Sequence, residues 1–392
     1  MNRIKSIDAI RGLAILGILF MNVGFHINIV TGYVGFEEAI SSDRIILILQ
    51  GLFIDGRFRS LFCILFGAGL AILHERASAR GFAVNIYLKS RLFWLAIIGA
   101  LHATFLFGGD ILLFYALCGY VVIKYLDNDQ KTLLVAAKHL FIAGSILSLI
   151  IGAGALYSTS SDEIMHRNSA AFLSKTAFIN QSYLNFILAN TGIAIFLLLI
   201  SVFSYLWQAL GLMVLGIYLY RSGFFERGFT PDTLGKISLA AIVSSLITIS
   251  PYFLLSSIDS NIMPSLASVS AIFVSLIYAH FLIRLSLTNK RYVLKSVETS
   301  LEKCGKVALT LYISQSVAMA LWFKVILPWI DPDYIQSITL VDLMLISIVF
   351  TFIQILFAKF LTHHFSQGPL EYLWRKQYEK RYQERVLKQE RE

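Results

Sequence analysis

Hydrophobic positions in this chain neither alternate nor fall into narrow stripes; they run on. From about residue 7 to residue 362, apolar runs of roughly 18–25 residues follow one another, each long enough to cross a ~30 Å hydrocarbon core. The runs lie near residues 7–30, 44–74, 91–107, 110–126, 133–156, 187–220, 234–257, 262–287, 305–330 and 338–362. The pattern predicts an all-α fold, a polytopic transmembrane bundle of about ten helices. The second and sixth runs exceed one straight crossing, so each should contain a break; Asp55-Gly56-Arg57 is the natural place for the first. Residues 1–367 read as one membrane domain and 368–392 as a basic amphipathic tail. The chain has no evident internal repeat and no low-complexity segment.

Composition agrees. The 392 residues are 57% hydrophobic and 15% charged, where a soluble domain carries about 25% charged residues. The formal charge of +9 does not mark a nucleic-acid binder, because the basic residues sit in alternate connections rather than in one patch. Cys63 and Cys118 lie in apolar runs and Cys304 in a basic segment. Such placement suits no external disulfide, and no Cys/His spacing of the metal-binding kind occurs, so no metal is expected. Asp8 and Arg11 interrupt the first run and no small-x-small site follows it, which reads as a retained helix rather than a cleaved signal.

The basic residues also orient the bundle. Arg3 and Lys5 precede the first helix, and Arg76, Arg80, Lys89 and Arg91 separate the second and third. Lys124, Lys131 and Lys138 follow the fourth; Arg221, Arg227 and Lys236 the sixth; Lys290, Arg291, Lys295, Lys303 and Lys306 the eighth. The opposite connections hold only Arg167 and Lys175, both in the long loop from Tyr157 to Tyr183, which has room for a short surface helix. The positive-inside rule then places both termini in the cytoplasm. After Gly368, Trp374, Tyr378 and Tyr382 recur every four residues among seven basic ones. Two readings are open for that tail: a helix lying on the inner leaflet, or a solvated charged extension.

Ionisable groups inside apolar runs are costly, so they are the candidates for chemistry. His102 lies about 11 residues beyond Arg91, roughly 16 Å of helix, and Asp110 opens the next run after Gly108-Gly109. An aspartate there is either a helix cap or the partner of an acid/base pair. Arg57 and Arg59, with Asp55, sit deep enough to need partners or water and could face His102 and Asp110 with positive charge. Asp8 and Arg11 share one face at the start of the first helix, either as a local ion pair or with the arginine aimed at an anionic donor. Asn22 and His26 are four apart, as are Tyr312 and Ser316, and Thr310 and Ser314. Such groups, with Gln315, either join helices or line a polar cavity. Gly67 and Gly69 would let another helix approach closely.

Several of these residues fall into ordered motifs. Ile7-Asp8-Ala-Ile-Arg11-Gly12 with Asn22, Gly56-Arg57-Phe58-Arg-Ser-Leu61-Phe62, and Phe66-Gly67-Ala-Gly69 come first. His102 with Gly109-Asp110 and Tyr115, Ala308-Leu-Thr310 with Tyr312 and Gln315, and Gly368-Pro369-Leu-Glu371-Tyr-Leu-Trp374-Arg375 follow. Together they resemble the YeiB family of bacterial inner-membrane proteins over nearly the whole chain. The opening motif and helix layout of that family look like those of the transmembrane acyltransferases, among them enzymes that modify surface sugars and the lysosomal heparan glucosaminide acetyltransferase. The resemblance implies transfer of an acyl group from a cytoplasmic donor such as acyl-CoA to a carbohydrate or lipid acceptor. Where the sugar-modifying enzymes carry a histidine at the end of the first helix, Asn22 stands here, which makes His102 the candidate base.

Two functions of different class therefore remain open. In an acyltransferase, His102 is the general base, Asp110 orients it or the acceptor, Arg57 stabilises developing negative charge, and Arg11 with Asp8 holds the donor. Asn22, Arg59, Tyr312 and Gln315 would bind the acceptor. In a transporter or channel, the same groups line a substrate or proton path. A purely structural role is the third possibility. A donor-shaped cavity at the cytoplasmic end separates the first reading from a continuous pore. Membrane lipids surround the protein in every case, and the oligomeric state is not readable.

Overall fold

The computed structural model describes residues 4–38, 40–158, 165–254, 263–287 and 292–391, and every regular element among them is helical. The first half comprises α1 (Lys5–Ile27), α2 (Ser41–Phe53), α3 (Arg57–Ala79), α4 (Val84–Phe105), α5 (Leu112–Val122) and α6 (Gln130–Ser158). There follow α7 (Ala170–Asn180), α8 (Tyr183–Ser201), α9 (Tyr205–Arg221), α10 (Phe224–Arg227), α11 (Pro231–Ile249), α12 (Pro251–Leu254) and α13 (Met263–Leu287). The last group is α14 (Tyr292–Lys306), α15 (Ala308–Leu321), α16 (Leu327–Ile330), α17 (Tyr334–Ser337), α18 (Leu340–His364) and α19 (Pro369–Arg391). A π turn at Trp322–Ile326 joins α15 to α16.

Among the described residues, nine helical stretches are long and apolar enough to cross a membrane. They correspond to nine of the ten expected runs; the run at 110–126 is the shorter apolar helix Leu112–Tyr125. The 39-residue stretch Ser41–Ala79 breaks where its sequence suggested, at Ile54–Gly56. Gly56 has φ +76°, a left-handed conformation that a side chain would strain. The sixth run breaks at Val202–Ser204, between α8 and α9. Large apolar side chains cover the outside of the bundle: Leu184, Ile195 and Leu199 on α8, Leu239 and Leu246 on α11, and Ile348 and Phe352 on α18 are all more than half exposed. A belt of that extent is untenable in water and ordinary against lipid.

The core forms where glycines let backbones touch. A Cβ on Gly12 of α1 would lie 1.9 Å from Leu301 O, and one on Gly305 would lie 1.9 Å from Asp8 O, so α1 and α14 cross at contact distance. Gly67 and Gly216 make the same reciprocal contact between α3 and α9, at 1.8 Å from Met213 O and 2.0 Å from Ile64 O. Close backbone approach is what drives helix association in lipid, where burial of apolar surface contributes little. Gly67 therefore does what its sequence context suggested. Gly69 does not: a Cβ there would meet nothing within 4 Å, because it faces an open cavity.

Two peripheral segments make contacts that the sequence left open. The tail is a helix, but its aromatic stripe packs on α4 rather than on lipid. Tyr87 meets Tyr378 and Tyr382 edge-on at 5.7 and 5.6 Å, and Arg91 lies 4.4 Å from both the Trp374 and Tyr378 rings. Burial there pushes the Tyr378 hydroxyl up to about 12. The long loop carries α7, and Arg167 just before it is 3% exposed. Its guanidinium donates to Val34 O and Ile335 O at 2.8 Å and stacks on Tyr33 and Phe36. Burial lowers the Arg167 pKa, opposed by Tyr33 and Asp43, which are themselves hydrogen-bonded. Arg3, Lys290 and Arg291, which entered the orientation argument, lie outside the described residues.

Candidate functional site

α4 ends three residues after His102, and the turn through Gly108-Gly109 brings the chain back as α5. Gly99, one turn before His102, makes room for that return: a Cβ there would lie 2.2 Å from Leu113 N and 2.9 Å from Asp110 Oδ2. Asp110 makes two contacts at once. Its Oδ2 accepts from Leu113 N at 2.7 Å, capping the first turn of α5, while Oδ1 lies 2.8 Å from His102 Nδ1. Both side chains are 1% exposed. With Asp110 ionised, Nδ1 carries the proton and Nε2 is left as an acceptor. Nε2 is met by Ser316 Oγ at 2.8 Å, across 214 residues of sequence. Aspartate, imidazole and serine hydroxyl thus stand in series, held by α4, α5 and α15.

α15 supplies two further features. Tyr312, one turn before Ser316, accepts from Ile111 N at 3.2 Å and donates to Asp110 Oδ1 at 3.4 Å; its ring centroid is 4.9 Å from that of His102. The start of α15 is capped from α19: Glu371 accepts from Leu309 N at 2.7 Å, from Thr310 N at 3.1 Å and from Thr310 Oγ1. A carboxylate is well placed at a helix N-terminus, where free N–H groups converge. Its cap fixes the axial position of Tyr312 and Ser316.

A cavity of about 1010 Å³ opens beside these residues. Its wall runs along α3 from Arg76 to Phe62, 14 residues or roughly 21 Å of helix, and ends against Ile111, Leu112, Tyr115 and Tyr312. The inner part is apolar, with Phe62, Leu65, Phe66, Leu92 and Leu95. Charge gathers at the other end: Lys5, Arg11, Arg76, Arg91 and Lys306 against Asp8, Glu226, Glu298 and Glu371. Arg11 donates to Asp8 Oδ1 at 3.1 Å and is 30% exposed there. Arg76 and Lys306 form no ion pair with an acidic side chain among the described residues. Among those residues no cluster of metal-ligating side chains occurs.

The structure brings together His102, Asp110 and Tyr312; of these only Tyr312 lines the cavity, together with Asp8 and Arg11. It does not bring Arg57 to them. Arg57 is fully buried, donating to Ser270 Oγ at 2.8 Å and to Asp55 O, so its charge anchors the α2–α3 break to α13. Arg59 lies 3.9 Å over the Tyr205 ring, and only its backbone carbonyl reaches the cavity wall, through Tyr115 OH. Gln315 donates to Ile15 O and Gln354 Oε1, both at 2.9 Å, joining α15 to α1 and α18. Asn22 is half-buried and takes no part in these bonds, while the His26 ring, four residues on, lies tilted against Phe107 with centroids 4.3 Å apart. The sequence did not single out Glu371 or Ser316 for chemistry. The signals were the Gly-Pro-x-Glu start of the tail and the four-residue spacing from Tyr312.

Comparison with known proteins accords with the motif resemblance. Residues 219–380 match the family described as "Protein of unknown function (DUF418)", a region that holds Tyr312, Ser316 and Glu371 but not His102 or Asp110. The chain is 26% identical to "Uncharacterized protein YxaH" of Bacillus subtilis (strain 168), over 95% of this chain and 93% of that protein. It is 25% identical to "Uncharacterized protein YeiB" of Escherichia coli (strain K12), over 96% of each. A third relative, "Uncharacterized 39.9 kDa protein in amylase 3'region" of Bacillus acidopullulyticus, is 25% identical over 95% of this chain and 93% of that protein. Ordered motifs and near-full-length similarity thus agree: the chain shows homology to YeiB, and its residues 219–380 match the DUF418 model.

Proposed function

We propose that this protein is an integral-membrane acyltransferase, moving an acyl group from an acyl-CoA-like donor to a hydroxyl or amine of a carbohydrate or lipid acceptor. One observation carries the reading: a cavity with a charged mouth and an apolar interior ends on Tyr312, which is hydrogen-bonded to the Asp110 partner of His102. Such a cavity suits an amphiphile whose anionic head stays at the mouth, near Arg11, Arg76 and Lys306, while its acyl chain lies among Phe62, Leu65 and Leu95. His102, oriented through Nδ1, presents Nε2 as the proton-accepting nitrogen, turned toward Ser316 Oγ. Lys and Arg concentrate in the connections at the mouth side, so in this reading the mouth and both termini face the cytoplasm of a bacterial inner membrane.

Binding of acetyl-CoA and palmitoyl-CoA to the purified protein in nanodiscs, followed by titration calorimetry, tests the proposal. Gly69→Leu should abolish donor binding without lowering the melting temperature, because the new side chain enters open cavity space. Arg11→Ala should weaken binding roughly tenfold, the loss of one charge-assisted phosphate contact. If neither thioester binds, the donor falls and the proposal with it.

A further inference from the structure

Ser316 differs from several other buried helical serines. Ser145, Ser275 and Ser347 donate back to the carbonyls of Phe141, Ile272 and Leu343, the usual way a helix satisfies a hydroxyl in an apolar setting. Ser316 Oγ instead faces His102 Nε2 at 2.8 Å, with Nδ1 of the same ring on Asp110 at the same distance. A carboxylate that fixes the imidazole tautomer, and an imidazole whose free nitrogen accepts from a serine hydroxyl, is the array that turns serine into a nucleophile. That constellation is recognised by geometry and not by fold or chain order. Here it is 2–3% exposed at Ser316 and His102, which keeps a reactive ester from water.

We infer that Ser316 is a covalent nucleophile and that acyl transfer proceeds through an acyl-serine. The inference rests on the acyltransferase reading for its donor. In the first half-reaction Ser316 Oγ bonds to the thioester carbonyl carbon, and its proton passes to His102 Nε2. The carbon–sulfur bond breaks, and the leaving sulfur takes that proton and departs as free thiol. In the second, the acceptor oxygen or nitrogen attacks the acyl carbon and its proton moves to Nε2. The Ser316 carbon–oxygen bond breaks and Oγ recovers the proton. Nothing is oxidised or reduced. Tyr312 is the ring between cavity and triad, so the acyl carbon reaches Ser316 by displacing it.

The full chain in nanodiscs is treated with a biotinylated fluorophosphonate and, separately, with radiolabelled acetyl-CoA in the absence of acceptor. Mass spectrometry should locate both adducts on Ser316; Ser316→Ala should lose both, and His102→Gln should slow labelling roughly 10²–10⁴-fold. Ser316→Cys supplies a readout that a packing role would not move: its acetyl adduct should become a thioester cleaved by neutral hydroxylamine, whereas the serine ester resists it. If acetyl-CoA binds and turns over but leaves no adduct, and Ser316→Ala transfers acyl groups at the wild-type rate, the inference falls. The acyltransferase reading then survives, with His102 acting directly on the acceptor. If neither thioester binds but the fluorophosphonate labels Ser316 in a His102-dependent way, the nucleophile stands and the proposed donor falls. Absence of both binding and labelling overturns both.

Discussion

His102 is held at both nitrogens, and that determines how its variants should behave. Replacing Asp110 with Asn keeps the volume and a group able to cap α5, but the amide no longer fixes the proton on Nδ1 or stabilises a protonated ring. Asp110→Asn should therefore lower acyl transfer by roughly 10²–10⁴-fold, as should His102→Gln, while the protein remains folded in the membrane. Rates in proteoliposomes compared with thermal unfolding check this; turnover within threefold of wild type in either variant would count against the assignment. Arg57 should behave in the opposite way. Its bonds to Ser270 and Asp55 are structural, so Arg57→Gln should destabilise by about 1.5–3 kcal/mol and leave donor affinity unchanged. A melting curve beside a binding isotherm separates the two effects. The sequence marked His102, Asp110 and Arg57 alike because each is costly in lipid, but cost alone does not say which partner meets it. Ser316 was harder to single out because a serine in a membrane helix is cheap and common. Its pairing with His102 spans 214 residues, a separation that no local pattern encodes.

Helices in this protein are joined by small residues and by caps more than by stripes of bulky ones. The α1–α14 crossing depends on Gly12 and Gly305 together, each of which sets its Cα against a carbonyl of the other helix. Gly305→Val should cost about 1–3 kcal/mol by forcing the helices apart. Because the same crossing positions Asp8 and Lys306 at the cavity mouth, donor affinity should fall along with stability. Joint measurement of Tm and binding tests the linkage; a stable variant with unchanged affinity would show that the crossing can widen freely. At this scale the sequence was largely legible. Run lengths called for a break in both the second and sixth runs and placed the first near Gly56, though not the second at Val202–Ser204, and Gly67 announced a close neighbour. The tail was legible only in part: its aromatic spacing predicted a helix with one apolar face, but a face of Trp and Tyr suits lipid and protein equally. What decided the matter was Arg91, whose guanidinium on α4 sits against both Trp374 and Tyr378.

At the scale of the molecule, the amino end of α1, the start of α15 and the start of α19 converge on one charged cavity mouth. The long loop lies elsewhere, tied by Arg167 to Val34 and Ile335. If the positive-inside rule sets the orientation, these two regions face opposite compartments. The native cysteines make this simple to test, since Cys63, Cys118 and Cys304 are all buried and should leave a quiet background. Lys175→Cys, exposed on α7, should react with a membrane-impermeant maleimide in intact cells. Gln389→Cys, exposed near the end of α19, should react only after the membrane is opened. Labelling of both positions in intact cells, or of neither, would place them in one compartment. Such a result would break the link between the charged mouth and the cytoplasm on which a donor made inside the cell depends.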